Sequence, residues 1–412
     1  MKVLLINTYD LKGGAARATC RMMQGLKKAG VDVKMLVQTK QSNDPDVITP
    51  RGGLFTVTSS FRPYIDYAIP FLKIKRRVPF FPAYIPDDAI VRKIKEINPD
   101  IIQLNWITGG FLRIESLAKL NKPLVWYVHD MWPFTGGCHY AGRCEKYKLQ
   151  CGACPILNSK KESDLSKKVF LRKQKTYEQI KKLMMVVSSS WMAENVKKST
   201  LLNDRDIYVV PPALDTENFK PKRKSAVRNQ LGLSNDRFQI LFGAIGAAKN
   251  RIKGFHLLID ALNRMKRSDF ELLVFGAEHS PKGKLANFRI RYFGNIYKNE
   301  MLTDLYSSAD FVVVPSIHES FGQVAVEAMA CGNPVVAFNQ GGLKDIVDHK
   351  INGYLVQPYD IDEMASGIQW MMNDAQNLNE MSAKARKKAV ELVGETVVTE
   401  KLIEIYKREL NL

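Results

Sequence analysis

The stretch FVVVPSIHESFGQVAVEAMACGNPVVAF, Phe311–Phe338, decides how this chain is read. It opens on a β-branched run, passes through a polar loop, reads as helix from Phe321 or Gly322 to Ala330, and closes on a second apolar run, PVVAF. Neither apolar run alternates strictly with polar residues, which is the pattern of strands covered by helices on both faces. The segment therefore predicts a strand-loop-helix-strand unit of a parallel sheet. Comparable runs at Gln239–Gly246, Glu271–Gly276, Ile290–Gly294 and Tyr354–Val356 surround it. An earlier series, Lys2–Thr8, Val31–Val37, Asp100–Trp106, Pro123–His129 and Met184–Ser190, has the same character. Strand signals that alternate with helical stretches predict α/β architecture, here two Rossmann-like doubly wound domains. A polar segment near Asn203 to Pro212 suggests the division, giving domains 1–205 and 206–390 and a C-terminal helix, 391–412, that packs back across the junction.

Composition narrows the class. With 45% apolar and 25% charged residues in 412, and ordinary Gly and Pro usage (26 and 18), disordered and collagen-like chains are excluded. The net charge of +19 is concentrated: residues 1–205 hold 35 basic and 17 acidic side chains, whereas 206–412 hold 26 and 25. The N-terminal half is thus expected to meet something large and anionic, be it nucleic acid, a phosphate-rich substrate or an acidic membrane face. No window reaches the roughly 18 apolar residues of a spanning helix, and MKVLLINTYD turns polar too early for a signal peptide, so a cytoplasmic protein is expected. Six clustered cysteines are too few for a disulfide scaffold of this size and fit a reducing compartment. Leu54–Asp87 mixes Phe55, Phe61, Tyr64, Tyr67, Phe71, Phe80, Phe81 and Tyr84 with Arg62, Lys73, Lys75, Arg76 and Arg77. Those aromatics either face a membrane or fill the domain core; the sequence leaves both readings open.

Candidate chemistry collects after the strands. Glu319 sits in the loop and Glu327 about two helical turns in, with seven residues between them. A loop carboxylate there can face a sugar hydroxyl while the amides of Ser320, Phe321 and Gly322 face a phosphate at the helix N-terminus; the bland alternative leaves Glu327 in solvent. Gly341 and Gly342, after the next strand, permit close backbone approach at the same sheet edge. Lys249, Arg251 and Lys253 follow the strand QILFGAIG and can neutralise a diphosphate. In the N-terminal half Gly13 and Gly14 open a helix containing Arg17 and Arg21, outside the GxGxxG pattern of nicotinamide binding, and His129-Asp130 follows a strand, where the histidine can bond a hydroxyl or move a proton. Asp360 and Asp362 read as helix-capping residues and not as metal ligands. Cys138, Cys144, Cys151 and Cys154 fall within 17 residues and include one CxxC. They close a structural zinc site, or stand as reduced thiols, or pair as disulfides; an iron-sulfur cluster is a further option. Cys20 and Cys331 read as small helix residues of the core.

Taken together, Glu319-x7-Glu327, Gly341-Gly342, Lys253-Gly254, Gly13-Gly14 and His129-Asp130 resemble glycosyltransferase family 4, the retaining transferases of GT-B fold, in which two such domains face each other across a cleft. VHDMWPFTGGCHYAGRC with the following CGAC also resembles a bacterial subgroup associated with capsule, colanic-acid-like and O-antigen assembly. The resemblance implies that Glu319 contacts donor hexose hydroxyls, Glu327 holds the ribose, Lys253 binds the diphosphate, His129 faces donor sugar and acceptor, and Gly14 lets the first loop approach the donor. Ala248 departs from the family, which often carries arginine there; Arg251 is the substitute within reach along the chain. The implied reaction transfers a hexose from a nucleotide diphosphate sugar to an acceptor hydroxyl with retention, by front-face attack, with no metal required for the step. A glycan or lipid-pyrophosphate acceptor at an anionic inner membrane leaflet would suit the basic half, with no nucleic acid as partner. Two rivals remain: a sugar-nucleotide epimerase or phosphorylase of the same fold, and a non-enzymatic nucleic-acid binder motivated by charge and cysteines.

Overall fold

The structure is a computed structural model that describes residues 1–50, 58–59, 61–74, 80–244, 246, 250–279, 287–296 and 298–412. Its contacts divide the chain into two units, Met1–Ala213 with Val398–Leu412, and Leu214–Val397. Strands appear within three residues of where the apolar runs place them. Two further short strands join them.

In the first unit the strands are β1 (Lys2–Tyr9), β2 (Asp32–Thr39), β3 (Val47–Ile48), β4 (Ile101–Leu104), β5 (Leu124–Val128), β6 (Leu183–Val187) and β7 (Ile207–Val209), ordered β3-β2-β1-β4-β5-β6-β7. Every pairing is parallel. Successive residues of β1 serve opposite faces: Leu4 and Ile6 pack with Leu104, Trp126 and Val128 on one side, Val3 and Leu5 with Met35, Val125 and Tyr127 on the other. A strand buried on both faces needs apolar residues at every position, which is why periodicity of two is missing from the sequence. The helix Gly14–Lys28 covers the second face with Ala18, Met22 and Leu26, four residues apart and hence on one stripe. Val398, Leu402, Ile405 and Tyr406 of the last helix, Glu395–Leu410, join that same layer.

The second unit repeats the plan with β8 (Phe238–Gly243), β9 (Phe270–Phe275), β10 (Arg289–Tyr292), β11 (Phe311–Val314), β12 (Val335–Phe338) and β13 (Gly353–Val356), ordered β10-β9-β8-β11-β12-β13. Leu241, Val312 and Val335 face one layer, and Ile240, Val313 and Val336 the other. Each such fully buried side chain contributes on the order of 2 kcal/mol. In both sheets the chain turns back at one place, between β1 and β4 and between β8 and β11. At such a reversal the loops at the carboxyl ends of the two strands normally lead apart and leave a crevice.

The division of the chain differs from the expected residue 205. β7 pairs with β6, which carries the first unit on to Ala213. Its residues are half-buried or exposed, so no apolar run marks it. The C-terminal piece of that unit begins at Val398, seven residues past the expected 391, because Ala375–Val393 is a helix of the second unit, with Ala385, Ala389 and Val393 in its core.

The aromatic segment splits between its two readings. Phe80 and Phe81 are buried in the core of the first unit. Phe61, Tyr64, Ile65, Phe71 and Leu72, at or on the helix Arg62–Ile74, stand exposed. Phe55, Lys75, Arg76 and Arg77 and the side chain of Lys73 lie outside the described residues. The helix is anchored by buried polar groups: Arg62 Nε donates to the Gly110 carbonyl (2.7 Å), and Asp66 accepts from the amides of Ala83 and Gly110 (3.2 Å each). Among the described residues no helix is long and apolar enough to cross a membrane.

Burial raises the Asp66 carboxyl to about 6 despite those amides. The native state therefore holds this proton more tightly than the unfolded chain, so the contribution of Asp66 is full below about pH 4 and is lost as pH rises through about 6. Asp66→Asn, whose single carbonyl oxygen keeps one of the two amide contacts, has no such slope. Urea unfolding from pH 4 to 7 should show the gap between wild type and variant narrowing by about 3 kcal/mol. A constant gap would show that Asp66 is not held this way.

Candidate functional site

The candidate site of the second unit lies at the carboxyl ends of the paired strands β8 and β11, where the strand order reverses. β8 leads to a short 3-10 turn, Arg251–Lys253, closed by Gly254, which caps the helix Phe255–Arg264. β11 leads through Pro315 to the loop of Glu319 and the helix Gln323–Ala330, capped by Gly322. The two loops touch: the Ile317 amide donates to the Ile252 carbonyl at 2.7 Å. A Cβ at Gly254 would stand 1.8 Å from the Pro315 carbonyl oxygen, and its φ of +73° lies in the left-handed region. Glycine is required there on both counts.

This crossing brings Lys253 and Glu319 together. Lys253 Nζ donates to Glu319 Oε2 at 2.7 Å, with both side chains largely buried. The loop after β12 fixes Glu319 from behind: the Gly342 amide donates to the Glu319 carbonyl at 3.0 Å, and a Cβ at Gly341 would lie 2.2 Å from that oxygen. Gln340 Nε2 ties the same loop to the Ser316 carbonyl at 2.7 Å. Gly322 offers no side-chain cap and no acidic residue occupies the first turn, so the positive end of the helix dipole keeps its attraction for an anion beside Ser320 and Phe321.

Glu327 is buried, contrary to the bland reading of a solvent-facing helix residue. Its Oε2 accepts from the Tyr306 hydroxyl at 3.0 Å. Tyr306 is itself fully buried, its ring edge-on to Phe275 and its carbonyl held by Asn333 Nδ2 at 2.5 Å. No local pattern flags Tyr306, which lies 21 residues before its partner on another helix, Asn299–Ser308. Arg251 is exposed on the 3-10 turn beside Lys253, and Lys249 and Ala248 lie outside the described residues. Asp360 caps the helix Ile361–Asn373 by accepting from the Glu363 amide at 2.8 Å, and Asp362 pairs with Arg264.

The remaining expected residues sit on the first unit. Gly13 caps Gly14–Lys28 at φ +96° with nothing within 4 Å of a Cβ position, so torsion and not space calls for glycine. His129 follows β5, its Nε2 3.3 Å from Asn105 Oδ1. Burial lowers its pKa to about 4, which keeps the ring neutral near pH 7. For Asp130, burial pushes the carboxyl up, and the His139 ring at 2.8 Å with the Trp132 amide more than offsets that, leaving it below the usual range. Cys138, Cys144, Cys151 and Cys154 are free thiols around one cavity. The zinc geometry expected of them is not preformed: among the described residues no three His, Cys, Asp or Glu side chains already stand as a metal-ligand group.

Residues 12–218 match the model of Glycosyltransferase Family 4, and residues 224–388 that of Glycosyl transferases group 1. The first match alone covers half of the chain. The chain belongs to glycosyltransferase family 4. Among curated relatives it is 32% identical over 219 residues to D-inositol 3-phosphate glycosyltransferase 1 of Catenulispora acidiphila, a match of 49% of this chain and 51% of that protein. A D-inositol 3-phosphate glycosyltransferase of Jonesia denitrificans is 26% identical over 340 residues, 74% of this chain and 76% of that one. The chain thus spans about half the length of several curated relatives it matches. In fold it is similar to a sucrose-phosphate synthase of Thermosynechococcus elongatus (TM-score 0.71, 20% identity, 99% of this chain and 98% of that one). It is also similar to Anabaena HepE in complex with UDP-glucose (TM-score 0.67, 18% identity, 99% and 100%).

The crossing at Gly254 predicts a ranking of two glycine variants. Gly13→Ala incurs torsional strain alone, about 1–3 kcal/mol. Gly254→Ala adds a backbone collision to similar strain and should cost clearly more, losing the cooperative unfolding of the second unit in urea titrations followed by circular dichroism. Equal losses would mean that the β8 and β11 loops do not pack this closely.

Proposed function

We propose that this family 4 protein is a retaining glycosyltransferase that moves a hexose from a nucleotide diphosphate sugar to a hydroxyl of a glycan or lipid-linked acceptor in cell-surface polysaccharide synthesis. The observation that carries the reading is the Lys253–Glu319 pair at the strand-order reversal, with Glu327 buried behind it on the helix that the Glu319 loop opens. An anionic diphosphate entering the crevice competes with Glu319 for Lys253; the ammonium moves to phosphate, and the released carboxylate accepts from sugar hydroxyls. Glu327, steadied by Tyr306, accepts from the ribose hydroxyls. As the acceptor oxygen bonds to the anomeric carbon, the bond from that carbon to the diphosphate oxygen breaks on the same face. The departing phosphate takes the acceptor's proton, and Lys253 with the helix amides stabilises the charge that develops on it. His129, neutral at pH 7, is assigned to hydroxyl contacts on the acceptor side.

The neighbour solved with UDP-glucose makes uridine diphosphate sugars the first donors to test. For the acceptor, the basic N-terminal half and the exposed face of Phe61, Tyr64, Ile65 and Leu72 favour a lipid-linked saccharide at an anionic bilayer, reached from the cytoplasm by peripheral contact. The HDMWPF…CGAC segment, shared by resemblance with capsule and O-antigen enzymes, favours the polysaccharide role.

Thermal-shift titration with UDP-, GDP- and ADP-glucose tests the donor half of this reading. One nucleotide class should stabilise wild type, by about 2.7 kcal/mol at a hundredfold excess over Kd. Glu327→Gln and Lys253→Met should abolish the shift, and Tyr306→Phe should weaken binding about tenfold or more through loss of a hydrogen bond to a charged group. Equal shifts with all three sugars and with free sulfate, or none with any, would overturn it.

A further inference from the structure

From His129 to Asp164, between β5 and the helix Leu165–Tyr177, the described chain runs 36 residues with only two 3-10 turns, Trp132–Phe134 and Lys146–Lys148. A loop of that length is uncommon inside a compact domain, because it gives up chain entropy without a ladder of backbone hydrogen bonds. Yet this one is packed inward, with Trp132, Phe134, Tyr147, Cys154 and Leu157 buried. Turn hydrogen bonds, such as the Met131 amide to the His139 carbonyl and the Ala153 amide to the Lys161 carbonyl (2.9 Å each), and the Asp164 carboxylate on the Cys154 amide (2.8 Å) tie parts of it, and the cysteine cluster lies among them.

All four clustered cysteines line a single cavity of about 20 Å³ at the centre of this excursion. That is room for one water-sized body. CGAC bends tightly, with φ of +53° at Cys151, +121° at Gly152 and +39° at Ala153, and both of its cysteines line the same cavity. The left-handed conformation at two residues other than glycine is costly and persists only where surroundings impose it. The Gly136 amide donates to Cys151 Sγ at 3.2 Å and fixes where that sulfur stands. Behind the cavity Lys173 is fully buried, its ammonium donating to the carbonyls of Trp132 and Thr135 and lying 3.6 Å from the centre of the Trp132 ring. Among the described residues no carboxylate lies at ion-pair distance from it. A buried cation of this kind calls for an anion close by.

We propose that Cys138, Cys144, Cys151 and Cys154 hold one thiophilic divalent cation, of the zinc class, as a structural site that pins the excursion to the first unit. Room for one water-sized body suits a single ion, which thiolates ligate at about 2.3 Å. Four thiolates around a divalent ion leave a doubly negative centre, which the ammonium of Lys173 partly offsets. The four side chains line one cavity without yet standing as a ligand set, so binding has to draw the sulfurs together. This site stands apart from the donor chemistry assigned to the second unit.

The test uses the full chain purified under reducing conditions. Elemental analysis should find about one zinc per chain, and zinc replaced by cobalt should give thiolate-to-cobalt charge-transfer absorption with tetrahedral ligand-field bands. A mercurial thiol reagent should release the ion. Cys151→Ser with Cys154→Ser should cut metal content to near none and lower Tm, while Cys20→Ser keeps both. The proposal is overturned by a wild type that takes up neither zinc nor cobalt, by metal that survives the double variant, by iron with acid-labile sulfide, or by disulfides among these cysteines. Should the double variant not fold, the cobalt spectrum of wild type decides: absence of the charge-transfer band ends the proposal.

Discussion

The backbone approach of Gly254 to the Pro315 carbonyl is the constraint on which the second unit's chemistry depends. Parallel strands carry their chemistry in the loops at their carboxyl ends, and such loops normally lead away from one another at the point of strand-order reversal. Here a missing Cβ lets two of them cross in contact. A lysine from one and a glutamate from the other then share a hydrogen bond that neither loop could arrange alone. The third loop, after β12, holds the glutamate's backbone from behind through Gly341 and Gly342. Three glycines thus set the positions of two charged groups, and the charged groups themselves need no long side-chain network.

Much of this was legible in the sequence, and the reasons are physical. Strands buried on both faces have to be apolar throughout, so β1, β5, β8, β11 and β12 announce themselves. β3 is too short to form a pattern and β7 is half-exposed, so neither leaves one, and the boundary they influence shifts to Ala213. Glu319, Lys253 and the glycine loops were visible because each follows a recognisable strand. Tyr306 was not, because its link to Glu327 is made by packing between two helices and no spacing rule encodes it. Likewise the cysteine spacing raised a metal, thiols and disulfides alike; only the shared cavity and the buried ammonium of Lys173 favour one of them.

The segment of aromatic and basic residues shows why composition alone could not choose between core and surface. Phe80 and Phe81 turn inward and Phe61, Tyr64 and Leu72 outward, within one short stretch of chain. Arg62, one of the basic residues of this segment, is buried, its guanidinium bonded to backbone carbonyls that anchor the helix. Charge totals describe a partner's sign, and burial decides which residues are left to meet it.

The first unit is not a continuous stretch of polypeptide. Its second layer is completed by Val398, Leu402, Ile405 and Tyr406, whose hydroxyl bonds Gln103 in β4 some 300 residues earlier. The second unit, by contrast, is one unbroken segment. During synthesis at about 5–20 residues per second, the domain made first must wait with an uncovered apolar face until the last turns leave the ribosome, while the domain made second can close ahead of it. On that account the N-terminal unit is the one left with unpaired apolar surface while the chain grows.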